Sequence, residues 1–214
     1  MKILQDIFNA NDIIMFQNYW NNNWEEHGYI NWKLGEEILD HRLLLIPGSK
    51  EFDRVSEVVH RYFKNPAEIW IGYQEQRFAH QIHIDDYGKD STLLRYTMIF
   101  SMDTIPEFKT ILWKETARDN YELHQHIIRW GENKTQKISN ISQTQDIEHT
   151  YDVNNKDYFA DYLQLDGIYS YKAGNGILFY ATQYHCTSNW LKYPQFQHRQ
   201  LLQVHILSDE VLDI

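Results

Sequence analysis

A histidine and an aspartate stand two positions apart at His83-Ile84-Asp85, in a segment that the pattern predicts to be a β-strand. Side chains two positions apart on a strand project from the same face, so this imidazole and this carboxylate can reach one metal ion. Both groups are common ligands of divalent transition metals. Because the chain has eleven histidines, such a pair also arises by chance on a surface strand, and further ligands are needed to indicate a site.

A third potential ligand follows near the other end of the chain. His185 comes after an apolar run that begins with glycine, Gly176-Ile177-Leu178-Phe179-Tyr180. Two histidines and one carboxylate form the facial triad of non-haem Fe(II) oxygenases, which leaves three coordination positions open. We therefore predict that His83, Asp85 and His185 converge on one Fe(II) ion and are the catalytic metal ligands.

Arg199 lies on a late predicted strand, where its side chain alternates with those of Leu202, Val204 and Ile206. The apolar residues can pack on one face of the strand while Arg199 points into the interior. A buried guanidinium without an anionic partner is strongly unfavourable, and arginine grips carboxylates with two parallel hydrogen bonds. The pattern therefore predicts either a bound carboxylate ligand or a salt bridge to an internal acid.

Together these residues resemble the 2-oxoglutarate/Fe(II)-dependent oxygenase superfamily, in particular its prolyl-hydroxylase-like branch, over about residues 68–207. The resemblance implies that Arg199 binds the far carboxylate of 2-oxoglutarate and that Tyr73, on the strand before His83, helps to bind this co-substrate. It also implies an enzyme that uses dioxygen to oxidise a C–H bond, with release of succinate and CO₂. Hydroxylation of a small molecule or of a peptide side chain is favoured over halogenation, because Asp85 keeps the carboxylate ligand.

Two departures from the family pattern affect the expected site. Many members have serine two positions after the arginine, where this chain has Leu201. The second co-substrate contact then comes from Tyr73 or Tyr96, or it is absent. The usual glycine-rich entry to the middle strand is also missing, and residues 108–113 take its place.

Two other functions remain open from the sequence alone. The chain can be a non-catalytic jelly-roll binding module in which the histidines are incidental. It can also be a cupin-like metalloenzyme that uses His83, His185 and His126 without a keto acid, and such an enzyme would not need Arg199. Phosphate-binding loops, dinucleotide fingerprints and zinc-knuckle spacings are missing from the sequence.

The hydrophobic period changes at Pro66. Before it, helical spacing predicts one helix from about Asn11 and a second from about Ser49. After it, a period of two predicts strands over 68–73, 78–85, 92–102, 109–114, 167–171, 176–183 and 198–207.

These elements predict a mainly β, single-domain protein. We expect a double-stranded β-helix (jelly-roll) core over residues 67–214, with the helices of residues 1–66 packed on one of its sheets. The polar stretch at about 115–165 is predicted to be an insertion or a lid.

Charge and cysteine content limit the partners and the compartment. Thirty acidic residues outnumber twenty basic ones, for a formal charge of −10, which disfavours nucleic-acid binding through a broad basic face. The single cysteine, Cys186, cannot form an internal disulfide, and no apolar run reaches transmembrane length. The sequence therefore predicts a cytoplasmic protein.

Overall fold

The computed structural model describes residues 1–34, 36–77, 83–85, 94–104, 108–116, 164–188 and 198–209. The helices in these ranges are α1 (Ala10–His27) and α2 (Lys50–Val59). The strands are β1 (Lys2–Leu4), β2 (Tyr29–Leu34), β3 (Glu37–Leu44), β4 (Glu68–Gln76), β5 (Leu94–Ser101), β6 (Lys109–Thr116), β7 (Leu165–Ser170), β8 (Gly176–Tyr180), β9 (Gln183–Thr187) and β10 (Arg199–Ser208).

The strands form two antiparallel sheets. The large sheet has the strand order β1-β8-β5-β10-β4-β3-β2, and the small sheet has the order β7-β6-β9. The long strand β10 lies at the centre of the large sheet, between β5 and β4. From β1 to β4 in this order, neighbouring strands are far apart in sequence, as in a jelly roll. This topology confirms the predicted double-stranded β-helix core.

Both helices pack on one face of the large sheet. α1 begins with a capping box, in which the Asn9 side chain accepts the backbone N–H of Asp12 while the Asp12 carboxylate accepts the backbone N–H of Asn9. The side chain of Ser49 caps α2 by accepting the backbone N–H of Phe52. Neither described helix is long and apolar enough to cross a membrane. The buried apolar residues of the two helices are Phe16, Tyr19, Trp20, Val55, Val58 and Val59.

The two faces of β10 meet different surroundings. Leu202, Val204 and Ile206 belong to the apolar core under the helices. Arg199 and Gln203 face the space between the two sheets, where they line a cavity. The alternation predicted from the sequence is therefore present, and it separates an apolar face from a polar one. A second apolar cluster fills part of the space between the sheets: Ile99, Phe108, Leu112, Tyr169, Tyr171, Ile177, Phe179 and Leu201.

The first 66 residues contain more strand than the sequence predicts. The two predicted helices are present, but β1, β2 and β3 extend the large sheet as well. Polar and charged residues interrupt the apolar pattern of β2 and β3, so these strands depend on pairing with each other and with β4. Of the predicted insertion, residues 117–163 lie outside the described residues, as do residues 78–82 of the strand expected before Asp85.

Candidate metal centre and adjoining cavities

His83, Asp85 and His185 bring their side chains together between the two sheets. The backbones of His83 and His185 exchange two N–H···O hydrogen bonds of 2.9 Å, and the backbone N–H of Asp85 donates to Ala181 at 2.9 Å. The Nε2 atoms of His83 and His185 lie 3.8 and 3.6 Å from Oδ1 of Asp85. One potential ligand atom from each residue lies within 4.8 Å of the others. The three predicted ligands therefore form one cluster.

The imidazole of His185 is oriented by the protein. Its Nδ1 lies 2.9 Å from the carbonyl oxygen of Gln183. A carbonyl oxygen only accepts hydrogen bonds, so Nδ1 carries a hydrogen, and Nε2, which faces Asp85, is the nitrogen that can bind a metal. The edge of the Phe179 ring packs against the imidazole, with 4.8 Å between ring centroids. This is the arrangement of a histidine ready to bind a metal through Nε2.

The carboxylate of Asp85 is held by two neutral donors. The hydroxyl of Thr97 donates to Oδ2 at 2.7 Å, and the amide of Gln203 donates to Oδ1 at 3.3 Å. Burial alone would raise the pKa of Asp85, but the imidazoles of His185, His205 and His83 outweigh it and hold this pKa well below its usual range. Asp85 is therefore ionised at neutral pH, as a metal ligand must be.

This donor set fits a first-row transition metal. Two imidazole nitrogens and one carboxylate oxygen suit Fe(II) and related ions, and such a triad leaves coordination positions for other ligands. The side chain of His83 is 35% exposed, whereas those of Asp85 and His185 are buried. The cluster is thus open to small molecules on the His83 side.

A cavity of about 210 Å³ connects the cluster to two arginines, Arg42 and Arg199. Nε of Arg42 donates to Asp40 at 3.1 Å, so its charge is neutralised locally. Nε of the buried Arg199 donates to the neutral amide of Gln76 at 2.7 Å, and its guanidinium lies over the Tyr171 ring. Of the two, Arg199 is better suited to bind an anionic ligand.

The side chain of Arg199 is almost fully buried, with an exposed fraction of 4%, so its charge has lost most of its hydration. This burial lowers the pKa of the guanidinium, while Tyr171, Asp40 and Asp103 act in the opposite direction. Arginine nevertheless stays protonated in proteins, so a positive charge persists at this end of the cavity. A carboxylate bound here would offset the loss of hydration.

The structure corrects the expected roles of Tyr73 and Tyr96. Both side chains are buried on the helix side of the large sheet. The hydroxyl of Tyr73 donates to Gln200 at 2.9 Å and its ring packs on Trp20, while the Tyr96 ring packs on Phe63. Neither tyrosine lines the cavity, because its position on the strand turns it to the opposite face.

Several polar residues of the cavity were missed in the sequence. They are Gln74, Gln76, Thr110 and Gln203, on the inner faces of β4, β6 and β10. Thr97 of β5, which was also missed, contacts Asp85. A partial signal existed for Gln203, which stands four positions after Arg199 and so shares its face. Leu201, at the position where many family members have serine, lines the same cavity with an apolar side chain.

A second cavity, of about 280 Å³, lies on the other side of the cluster. Asp85 lines both cavities. The second one is also bordered by Glu68, Arg95 and the rings of Trp70 and His205, which lie 5.2 Å apart. The candidate metal centre therefore lies between two spaces of different character. His126, the third ligand in the cupin-like alternative, lies outside the described residues.

No protein-family model matches the chain, and no curated protein sequence matches it. Solved structures do match it. The non-haem α-ketoglutarate-dependent epimerase SnoN from nogalamycin biosynthesis matches with a TM-score of 0.59 and 8% identity, over 96% of this chain and 77% of that one. HygX from Streptomyces hygroscopicus, solved with nickel and 2-oxoglutarate, matches with a TM-score of 0.57 and 12% identity, over 96% and 82%.

A prolyl-4-hydroxylase from Pseudomonas putida is also similar, with a TM-score of 0.53 and 8% identity, over 97% of this chain and 91% of that one. These likenesses extend over nearly the whole chain, while the identities are very low. They establish the architecture, and the chain therefore has the jelly-roll fold that these enzymes share.

Proposed function

We propose that this chain is an Fe(II)- and 2-oxoglutarate-dependent oxygenase that hydroxylates a C–H bond of a small molecule or a peptide side chain. The observation that carries the proposal is a single cavity with the His83, Asp85 and His185 cluster on its wall together with the buried cation of Arg199. Similarity to the fold of 2-oxoglutarate-dependent enzymes supports it.

In this proposal His83, Asp85 and His185 hold the iron. Hydrogen bonds from Thr97 and Gln203 fix the Asp85 carboxylate, which limits the reorganisation needed to bind the metal. Bound iron and 2-oxoglutarate would supply the oxidation of a C–H bond by dioxygen, with release of succinate and CO₂.

Arg199 binds the far carboxylate of 2-oxoglutarate. Its planar guanidinium can donate two parallel hydrogen bonds to a carboxylate, and its burial strengthens such an ion pair. Because the cavity continues from Arg199 to the histidines, a keto acid held at this end directs its keto group towards the metal ligands.

The second cavity is the proposed site of the oxidised substrate. Asp85 lies on its wall, so a molecule bound there adjoins the metal ligands without displacing the co-substrate. Its volume of about 280 Å³ suits a small molecule or a single side chain. Glu68 and Arg95 offer charges of both signs, and Trp70 offers an aromatic surface.

An anaerobic titration tests the proposal. Fe(II) and then 2-oxoglutarate are added to the wild-type protein and to the Asp85→Ala, His185→Ala and His27→Ala variants, and the visible charge-transfer band of the ternary complex is recorded. His27 is the control, because it lies at the exposed end of α1. We expect the band in the wild type and the control, and not in the two ligand variants.

The alternatives predict different results. A non-catalytic binding module shows neither iron binding nor a band, and a cupin-like metalloenzyme binds iron but shows no response to 2-oxoglutarate. Either result with the wild-type protein would overturn the proposed function.

A further inference from the structure

Three glutamines connect Arg199 to Asp85 through a continuous series of side-chain hydrogen bonds. Nε of Arg199 donates to Gln76 at 2.7 Å, and the amide of Gln76 donates to Gln74 at 3.1 Å. The amide of Gln74 donates to Gln203 at 2.7 Å, and that of Gln203 donates to Oδ1 of Asp85 at 3.3 Å. We call Gln76, Gln74 and Gln203 the glutamine chain.

Strand register explains how the glutamine chain forms. On β4, Gln76 stands directly opposite Arg199 of β10, and Gln74 shares the face of Gln76 two positions away. Gln203 stands opposite Gly72, and its amide accepts a hydrogen bond from Gln74, the diagonal neighbour two positions along β4. The contacts therefore follow from alternate positions on two adjacent strands.

The two ends of the glutamine chain fix the direction of all its hydrogen bonds. A guanidinium only donates, and an ionised carboxylate only accepts, whereas each amide between them can do both. All four bonds form only when each amide turns its oxygen towards Arg199 and its nitrogen towards Asp85. Reversing one amide places like groups together at two contacts, which is costly in a buried network. Gln74, at the middle, has an exposed fraction of 0%.

We propose that the glutamine chain positions Asp85 for metal binding, with its orientation set by Arg199. The amide N–H of Gln203 is thereby kept towards Oδ1 of Asp85, and it cannot turn its carbonyl oxygen towards the carboxylate. The co-substrate anchor and the metal ligand are in this way parts of one hydrogen-bonded unit. The glutamines act as positioning residues. This inference rests on the proposed function, but its main consequence is measurable without 2-oxoglutarate.

Calorimetric titration with Co(II), in the absence of 2-oxoglutarate, tests the positioning role. The variants are Gln74→Met, Gln76→Met and the double variant, because methionine has a similar length and forms no comparable hydrogen bonds. Loss of an outer partner of a metal ligand costs about 10- to 100-fold in metal affinity, and these glutamines are one or two steps further away. We therefore expect each single variant to bind Co(II) about three- to five-fold more weakly, with an altered visible Co(II) spectrum.

The double variant gives the sharper result. A series of hydrogen bonds that is already broken at one contact loses little more when it is broken at the next, so we expect the double variant to bind Co(II) as the single variants do. Gln200→Met is the matched control on β10. Gln200 is a glutamine of the same strand that contacts Tyr73, outside the glutamine chain, and its substitution should leave Co(II) affinity unchanged.

Three outcomes contradict the inference in distinguishable ways. Single variants that bind Co(II) as tightly as the wild type, or losses that multiply in the double variant, overturn the positioning role and leave the proposed function intact. A wild-type protein that binds no Co(II) overturns both. Thermal unfolding of the metal-free proteins shows whether each variant folds. If Gln74→Met does not fold, Gln76→Met tests the same series at the neighbouring contact.

Discussion

The hydroxyl of Thr97 donates a hydrogen bond of 2.7 Å to Oδ2 of Asp85, so a central strand of the large sheet holds the carboxylate of a candidate metal ligand. Nδ1 of His205 lies 3.5 Å from the same hydroxyl. The other carboxylate oxygen receives the amide of Gln203. Asp85 thus has a defined orientation that does not depend on a bound ion.

Thr97→Val should weaken the binding of Fe(II) or Co(II) by about ten-fold, because valine keeps the shape of threonine but cannot donate to Asp85. Thr97→Ser keeps the hydroxyl and should bind the metal nearly as the wild type does. Calorimetric titration of both variants measures the difference. Equal affinities of the valine and serine variants would show that the hydrogen bond does not contribute.

Arg199→Ala should weaken 2-oxoglutarate binding by ten-fold or more, since a charge-assisted hydrogen bond contributes roughly 1.5–3 kcal/mol. Metal affinity should fall only by the three- to five-fold expected for the glutamine variants, because the three ligands stay in place and only the orientation of the glutamine chain is lost. Arg95→Ala is the matched control, since Arg95 borders the other cavity. Titration of metal-loaded protein with 2-oxoglutarate separates the two effects. Unchanged 2-oxoglutarate affinity in Arg199→Ala would remove the assigned anchor.

Tyr73→Phe should leave 2-oxoglutarate affinity unchanged, because the Tyr73 hydroxyl faces the helices and donates to Gln200. Loss of this hydrogen bond should lower the free energy of unfolding by about 0.5–1.5 kcal/mol. Urea denaturation and co-substrate titration of the same variant check the two statements. A ten-fold loss of 2-oxoglutarate affinity would instead place the hydroxyl in the site.

Asp12 and Arg54 form a bidentate ion pair with N···O distances of 3.0 Å, which links α1 to α2. The hydrogen bond from Arg54 lowers the pKa of Asp12 more than burial raises it. A lowered folded-state pKa means that the stabilisation is present above the unfolded-state pKa, about 3.9, and is lost as the pH falls through the folded-state value.

Asp12→Asn should therefore lower the free energy of unfolding at pH 7 by roughly 0.5–1 kcal/mol, as expected for a partly exposed ion pair. The difference from the wild type should shrink below about pH 4, where the wild-type carboxylate becomes protonated. Urea denaturation at several pH values measures it. A difference that stays constant down to pH 3 would contradict the assigned role of the Asp12 charge.

The face of a strand could be predicted from the sequence where one side is polar and the other apolar. On β10, Leu202, Val204 and Ile206 contrast with Arg199 and Gln203, so the inward direction of Arg199 followed from the alternation alone. His83 and Asp85 also come together as predicted, but residues 83–85 form a single β-bridge at His83 and not the predicted strand. The alternation rule is local, because the covalent geometry of an extended chain fixes which residues share a face.

On β4 the same rule disagrees with the family resemblance. Ile71 and Tyr73 alternate with Gln74 and Gln76, so the alternation puts Tyr73 on the apolar face, where the structure has it. Only the resemblance to the oxygenase superfamily implies that Tyr73 lies in the site, whereas the packing of α1 makes its face part of the helix-side core.

The sequence by itself thus determined the double-sheet fold, the candidate ligands and the direction of Arg199. Only the tertiary structure decided that β4 lies beside β10 with Gln76 opposite Arg199, two residues 123 positions apart in the chain. It is this pairing that builds the glutamine chain. The physical reason is that register between distant strands depends on which pairing buries the most apolar surface in the whole fold, and neither strand carries that information in its own residues.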